Sequence, residues 1–475
     1  MTTDATRADA VVVGSGPNGL AAAITLARAG RDVTVYEAAD RPGGGCRTSE
    51  LTLPGVLHDD CSAVHPMALA SPFFRSIDLA ARGVRWIQPS APLAHPLDGR
   101  PAVILEQNVE ATAERLGQDG KAWRRVFGPL VRDLEKLMPS LLAPVFRVPR
   151  HPIALARFGL PALLPATTFA RAAFRTGEAR ALFGGLAAHA IYRLDRPPTA
   201  AFGLVFGLVG QSLGWPIVEG GSNRLVDALV AELQALGGRV VTGQRIGSLR
   251  DVPARTTVLD LAPRGVADVA AGQLPAAAIN RLRRFRYGPG VCKVDWALSG
   301  PVPWSDPDVA RAATVHLGGS LDELARSEAE VGGGRHAERP FVLFVQPSRF
   351  DRTRAPAGTE VGWAYCHVPH GSTVDASAAI EAQVERFAPG FRDLIVARHV
   401  RTAADIERYD ENYVGGDIGV GLTDLRGVFF RPRAALDPYR LPGEGLFLCS
   451  SATPPGGGVH GMCGWHAAQS ALRSA

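Results

Sequence analysis

The sequence predicts an α/β protein in which a Rossmann-like dinucleotide-binding domain is interleaved with an α+β cap domain. Two stretches carry that prediction: a strand, glycine turn and helix at the start of the chain, and a second strand, glycine loop and helix at its end. Length is the third observation, because 475 residues exceed one ordinary hydrophobic core. Residues 1–95, 211–275 and 431–475 are assigned to the nucleotide-binding domain. Residues 96–210, read as helical, and 276–430, read as β-rich, are assigned to the cap.

The first stretch is Gly14-Ser-Gly16-Pro17-Asn18-Gly19, which follows the apolar run of residues 9–13 and opens a helical pattern ending near Gly30. A strand pattern over residues 32–36 then delivers Glu37, at close to the spacing expected of a βαβ dinucleotide-binding unit. Gly14 permits the tight turn. Gly16 has no Cβ to keep a pyrophosphate from the positive end of the helix, and Gly19 lets helix and sheet approach closely. Pro17 suits the first helical turn, where an N–H has no intrahelical partner. Glu37 is placed to accept hydrogen bonds from ribose hydroxyls.

Next comes Arg41-Pro-Gly-Gly44-Gly45-Cys46-Arg47-Thr48, a glycine cluster followed by a cation. It reads either as a loop passing beneath a cofactor's phosphates or as a surface turn. The polar cluster from His58 to His65 reads as the lining of a redox site, with His65 as donor or proton acceptor, or as a zinc-like set, though four ligands with orderly spacing are not visible. Residues 73–82 read as helical and 113–137 as one amphipathic helix. No acid occurs between Glu135 and Glu178, while Lys136, Arg147, Arg150, Arg157, Arg171 and Arg175 punctuate an apolar, proline-broken run. Residues 140–175 are therefore membrane-surface helices, a greasy substrate entrance or ordinary cap helices.

Trp215-Pro introduces a helix with Ser222 as N-cap, Leu225, Leu229 and Leu233 on one face and Gly237-Gly238 as stop. Strands are expected at 239–242, 244–246 and 257–260, with no second GxGxxG and hence no separate NAD(P)H domain. Further strands are expected at 291–298, 314–317, 341–345 and 361–368. In the last, alternation puts Trp363, Tyr365 and His367 on one face, as the wall of an apolar pocket or as packing against a helix. The final strand leads into Gly456-Gly457-Gly458-Val459-His460-Gly461-Met462 and a helix, a second place where backbone N–H groups meet an anionic ligand.

Composition narrows the class. Net charge is +5, but nearly every cation is Arg, a bias that we do not read as a nucleic-acid footprint. Six scattered cysteines include no CxxC pair, against a dithiol centre, a disulfide framework and a Cys-rich metal site. The first residues lack signal-peptide character and no apolar run approaches a membrane span, so a cytoplasmic protein is expected, peripheral at a membrane if residues 140–175 dock there. No metal is expected; oligomeric state is left open.

These motifs together resemble flavoproteins of the glutathione-reductase-type FAD fold, and within it the phytoene-desaturase-like branch that includes pyridine nucleotide-disulphide-oxidoreductase-domain proteins. The resemblance rests on residues 11–48, Trp215-Pro to Gly243, Tyr287-Gly-Pro-Gly, Tyr413-Val-Gly-Gly-Asp417 and the Pro454-Pro-Gly-Gly-Gly loop. It implies FAD, with Gly14, Gly16, Pro17, Asn18 and Gly19 at the pyrophosphate and Glu37 at the ribose. Arg41, Gly44, Gly45, Arg47 and Thr48 would follow the phosphates and ribityl chain, Ile246 the adenine, and Gly457, Gly458, Val459, His460, Gly461 and Met462 the isoalloxazine. Ser450-Ser451 replaces the Gly-Asp of many relatives, which removes a usual carboxylate contact. The implied activity is hydride transfer from a C–H bond of an apolar polyene, isoprenoid or lipid-like substrate to flavin N5, with His65, His460 and His367 as candidates for proton transfer and oxygen or a quinone as electron acceptor. Alternatives are a reduced-flavin polyene isomerase or saturase, and a non-catalytic flavin-binding scaffold.

Overall fold

The computed structural model describes residues 8–474. Its first sheet is parallel throughout, in the spatial order Leu446–Leu448, Ala254–Leu259, Ala8–Val13, Val33–Tyr36, Arg239–Val241. The β-branched run Val11-Val-Val13 takes the centre because only a strand buried on both faces can be apolar at successive positions. One face packs against the helices Pro17–Arg28, Asn223–Ala235 and Met462–Ser474, and the other against the helices Pro263–Val269 and Ala276–Arg283. Residues from both ends of the chain and from its middle thus build one domain.

The second sheet has seven strands, in the order Ile395–Arg401, Gly290–Leu298, Glu360–Val368, Val342–Val345, Ala312–Leu317, Ala91–Leu97, Arg100–Leu105. All neighbours are antiparallel except Ala312–Leu317 beside Ala91–Leu97. The helix Ser377–Phe387 covers one face, and the helices Gly177–Ala188 and Ala200–Leu213 lie over the other. Val294 sits opposite Ala364, and the same register sets Cys292 across from Cys366, both free thiols.

Several elements differ from expectation for local reasons. The strand Ala91–Leu97 belongs to the cap sheet, so the chain leaves the nucleotide-binding domain before residue 91 and not at 96. The helix expected over 113–137 is Val109–Arg115, Gly120–Arg132 and Leu134–Leu141, because Gly117 takes φ +50 and turns the chain while the apolar period runs on. Residues 73–82 hold only the short turn Phe74–Ser76, since side-chain oxygens of Ser71 and Asp78 take the N–H groups of Phe74 and Ala81. Residues 244–246 leave the ladder to follow the Glu37 loop, with Gln244 N–H donating to Glu37 O at 2.9 Å. Ser222 precedes its helix without capping it, because its hydroxyl is used elsewhere.

Candidate active site at the junction of the two domains

The glycine turn is shaped by what lies beneath it. Gly14 adopts φ +98, and a Cβ at Gly19 would stand 2.1 Å from Gly14 O, so helix and strand meet at a distance open only to glycine. Asp260, just past the strand Ala254–Leu259, accepts the Gly19 N–H at 2.8 Å and so caps the helix from the neighbouring strand. Burial pushes its pKa up to about 8, with the Gly19 N–H pulling the other way. Near neutral pH this cap is mostly an uncharged acid, which leaves the positive helix end without a competing anion.

Glu37 is buried at the edge of the same turn. It accepts N–H bonds from Ser15 at 3.0 Å and Ala39 at 2.9 Å, and pairs with Arg47 at 3.3 Å. Arg47 lies over the Tyr409 ring, and its Nε is buried without a partner. Gly44 O accepts the Tyr409 hydroxyl at 2.9 Å, and Gly45 packs against Tyr413. Arg41 points elsewhere, to Thr48 O, Ser49 and Asp60, and Thr48 ties the loop to Asp59 and Asn223. The Ile246 side chain is core, packed with Val11, Val13 and Leu259.

The C-terminal loop closes over this region. Asn18 Nδ2 reaches Ser451 Oγ at 3.5 Å, and its Oδ1 is buried without a partner, as is Ser450 Oγ. His460 holds the loop: its Nδ1 accepts Met462 N–H at 3.0 Å, so its Nε2–H donates to Gly456 O at 3.2 Å. Both ring nitrogens are engaged, and burial lowers its pKa to about 4. Asp417 gathers the facing loops by accepting N–H bonds from Gly288, Gly419 and Gly421. Cys463 is a buried thiol whose pKa burial pushes up to about 12, a packing group with little thiolate character.

A cavity of about 1170 Å³ joins these loops to the cap. Pro17, Asn18, Gly45 and the 456–460 loop line one part; Leu155, Leu160, Leu163, Phe202, Val205 and Phe206 line another. Trp363 and Tyr365 stand on its wall. His367, on the same strand face, does not reach it and instead bonds buried Glu328 through Nδ1 at 2.8 Å. His65 does line the cavity. Ser222 Oγ–H donates to Ser62 O and accepts from His65 Nε2–H at 2.9 Å, which leaves the His65 Nδ1 lone pair free and buried. Burial lowers its pKa to about 4, so it is an uncharged acceptor.

Sequence patterns missed Asp260 and Tyr409, which lie outside any glycine motif, and the histidines 95, 189 and 316, which only the fold brings together. Polar residues within apolar strands, such as His95 and His316, were the available signal. Among the described residues, no group of three or more His, Cys, Asp or Glu side chains is placed to hold a metal ion.

The donor set suits FAD. A glycine-shaped helix N-terminus capped by an acid suits a pyrophosphate, Glu37 would suit a ribose, and Arg47 Nε, Asn18 Oδ1 and Ser450 Oγ are buried without a partner in the loops around that helix end.

Comparison with known proteins agrees. The NAD(P)-binding Rossmann-like domain family matches residues 12–75. The chain is 24% identical to pyridine nucleotide-disulfide oxidoreductase domain-containing protein 2 of Rattus norvegicus, over 98% of this chain and 93% of that one. It is 32% identical to hydroxyneurosporene desaturase of Cereibacter sphaeroides, over 57% of this chain and 59% of that one. Among solved structures, an oxidoreductase from Methanosarcina mazei shares the fold, with a TM-score of 0.62 and 15% identity over 98% of this chain and all of that one. The βαβ unit, the two glycine loops and these relatives together mark the chain as an FAD-dependent oxidoreductase, similar to the phytoene-desaturase-like proteins.

Proposed function

We propose that the enzyme dehydrogenates a long apolar substrate of polyene, isoprenoid or lipid-like character, leaving a new C=C bond. The observation that carries this reading is the large cavity that runs from the two glycine loops to the aliphatic cap helices. When bound, FAD supplies the hydride acceptor. The chain supplies orientation and a dry wall of Trp363, Tyr365 and Phe206, which holds a C–H bond against the flavin end and excludes water. A carbon next to one that has lost hydride is a strong acid, so a weak base suffices. His65, with its free Nδ1 on the cavity wall, is that acceptor, while His460 fixes the loop and His367 stays paired with Glu328.

The substrate's route is a membrane surface. Val148 and Leu160, which line the cavity, are 95% and 72% exposed, Ile153 on the helix of Leu160 is 76% exposed, and Arg147 and Arg150 line the cavity beside them. Among the described residues, no single helix is long and apolar enough to cross a bilayer; the helices Pro152–Ala162 and Ala166–Ala173 meet at a 104° bend. A lipid-facing mouth lets a water-insoluble chain pass into the cavity without crossing water. The names of the relatives, one of them a desaturase, support the same chemistry. Oxygen or a quinone then takes the electrons.

The test is anaerobic mixing of holoenzyme with a polyene carried in anionic liposomes. Bleaching of the flavin absorbance with formation of a desaturated product is expected. A persistently oxidised spectrum overturns the reading.

A further inference from the structure

One stretch of the cavity wall is polar where its surroundings are not. Thr314 and Trp215 line the cavity and are each only 1% exposed, and Thr314 Oγ1 and Trp215 Nε1 are buried without a partner. His189 lines the same stretch, its ring centroid 5.5 Å from that of Trp215. Behind it, His189 Nε2 meets His316 Nε2 at 3.0 Å, so the two rings share one proton. His316 is two residues from Thr314 on one strand face, and its ring centroid is 5.8 Å from that of Trp215.

This block is built rather than incidental. His95 Nε2–H donates to Gly319 O at 2.7 Å, and a Cβ at Gly185 would stand 2.8 Å from the Nδ1 of both His95 and His316. Only glycine at position 185 leaves room for the two rings, whose Nδ1 atoms flank that gap without a partner. Burial lowers the pKa of His189 to about 3 and of His95 to about 4, and drives that of His316 well below its ordinary value. The rings are therefore hydrogen-bonding groups and not cations. Unpaired donors in an otherwise apolar wall are costly, and an indole N–H donates only.

Resting on the dehydrogenase reading above, we infer that the substrate is not a pure hydrocarbon: its apolar chain carries a hydroxyl or carbonyl oxygen, which accepts hydrogen bonds from Trp215 Nε1–H and Thr314 Oγ1–H beside His189. A carboxylate end is disfavoured, because the groups of this patch are neutral and offer it no counter-charge.

The experiment titrates holoenzyme with three isoprenoid probes of equal length that differ at one end: hydrocarbon, primary alcohol and aldehyde. Binding is read from perturbation of the flavin absorbance, in wild type, Thr314→Val and Trp215→Phe. Retained flavin absorbance certifies that each variant is folded. Each variant is expected to weaken alcohol and aldehyde binding by about tenfold while leaving the hydrocarbon unchanged or tighter. If all three probes respond alike in both variants, the wall atoms are served by water and the inference is overturned. If no probe binds wild type, the lipophilic-substrate reading fails and takes the inference with it.

Discussion

Replacing Arg354 with Met probes a knot on which the active site rests. Arg354 is fully buried; it pairs with Asp59 at 2.9 Å and Asp351 at 2.8 Å, and donates to Val218 O at 3.1 Å. Met fills similar volume but leaves two carboxylates, each 2% exposed, without their cation. Breaking a buried pair from one side costs about 3–5 kcal/mol, which in a chain of this size lowers the unfolding midpoint by about 3–5 °C. The deficit depends on pH in a defined direction. Burial works to raise the Asp351 pKa, but hydrogen bonds from Thr353, Gly220 and Arg354 outweigh it and hold the carboxyl below its usual range. In the wild type, this stabilisation is present above the unfolded carboxylate pKa and is lost as pH falls through the lower folded value. Without Arg354 the Asp351 carboxyl takes up a proton more readily, so the deficit is full near neutral pH and shrinks below about pH 5. The damage also reaches the chemistry: Asp59 holds Ser222 N–H at 2.8 Å, and Ser222 Oγ holds His65. Thermal unfolding followed by flavin fluorescence across pH checks this, with Arg354→Met/Asp59→Asn/Asp351→Asn expected to recover most of the loss. An unchanged midpoint near neutral pH, or a deficit independent of pH, refutes the reasoning.

Other substitutions test the cofactor and substrate ends. Gly19→Ala places a Cβ 2.1 Å from a backbone oxygen that cannot yield, so purified protein loses its visible flavin band; a normal ratio of visible to ultraviolet absorbance contradicts the packing described. Glu37→Gln removes the charge held by Arg47 and two N–H groups, and equilibrium dialysis is expected to give about tenfold to hundredfold weaker FAD binding. His65→Phe keeps the flavin but slows the reductive half-reaction by about 10²–10⁴-fold in stopped flow, and since wild-type His65 is uncharged above about pH 4, it adds no inflection near neutral pH. Ile153→Glu/Leu160→Glu is expected to abolish co-sedimentation with anionic liposomes while leaving the flavin spectrum intact, and persistent co-sedimentation removes the membrane route.

Local chemistry was legible where a motif is contiguous. Gly14 to Gly19 with Glu37, and the 456–464 loop, each carry strand, turn and helix in one short stretch, so backbone requirements alone reveal their local structure. Chain-pattern reading failed where the deciding partner is remote. Ser222 looks like a helix cap until its hydroxyl is found on Ser62 and His65, and Arg41 looks like a phosphate ligand until Thr48, Ser49 and Asp60 claim it. Of three histidines with equal standing as sequence letters, one faces the cavity with a free nitrogen, one fastens a loop, and one is paired with Glu328 off the cavity.

The amino-acid sequence by itself determined a glycine-shaped helix end of the dinucleotide-binding kind, a second glycine loop before the last helix, and apolar helices between the two. Glycine spacing and hydrophobic period act within one turn or one strand, so they need no knowledge of what lies across the fold. Tertiary structure alone decided that an uncharged Asp260 caps the helix, that His65 keeps a free nitrogen, and that histidines 95, 189 and 316 back a polar stretch of an apolar cavity. Those properties depend on burial and on partners far away in the chain, and burial is what sets whether an acid is charged or an imidazole neutral.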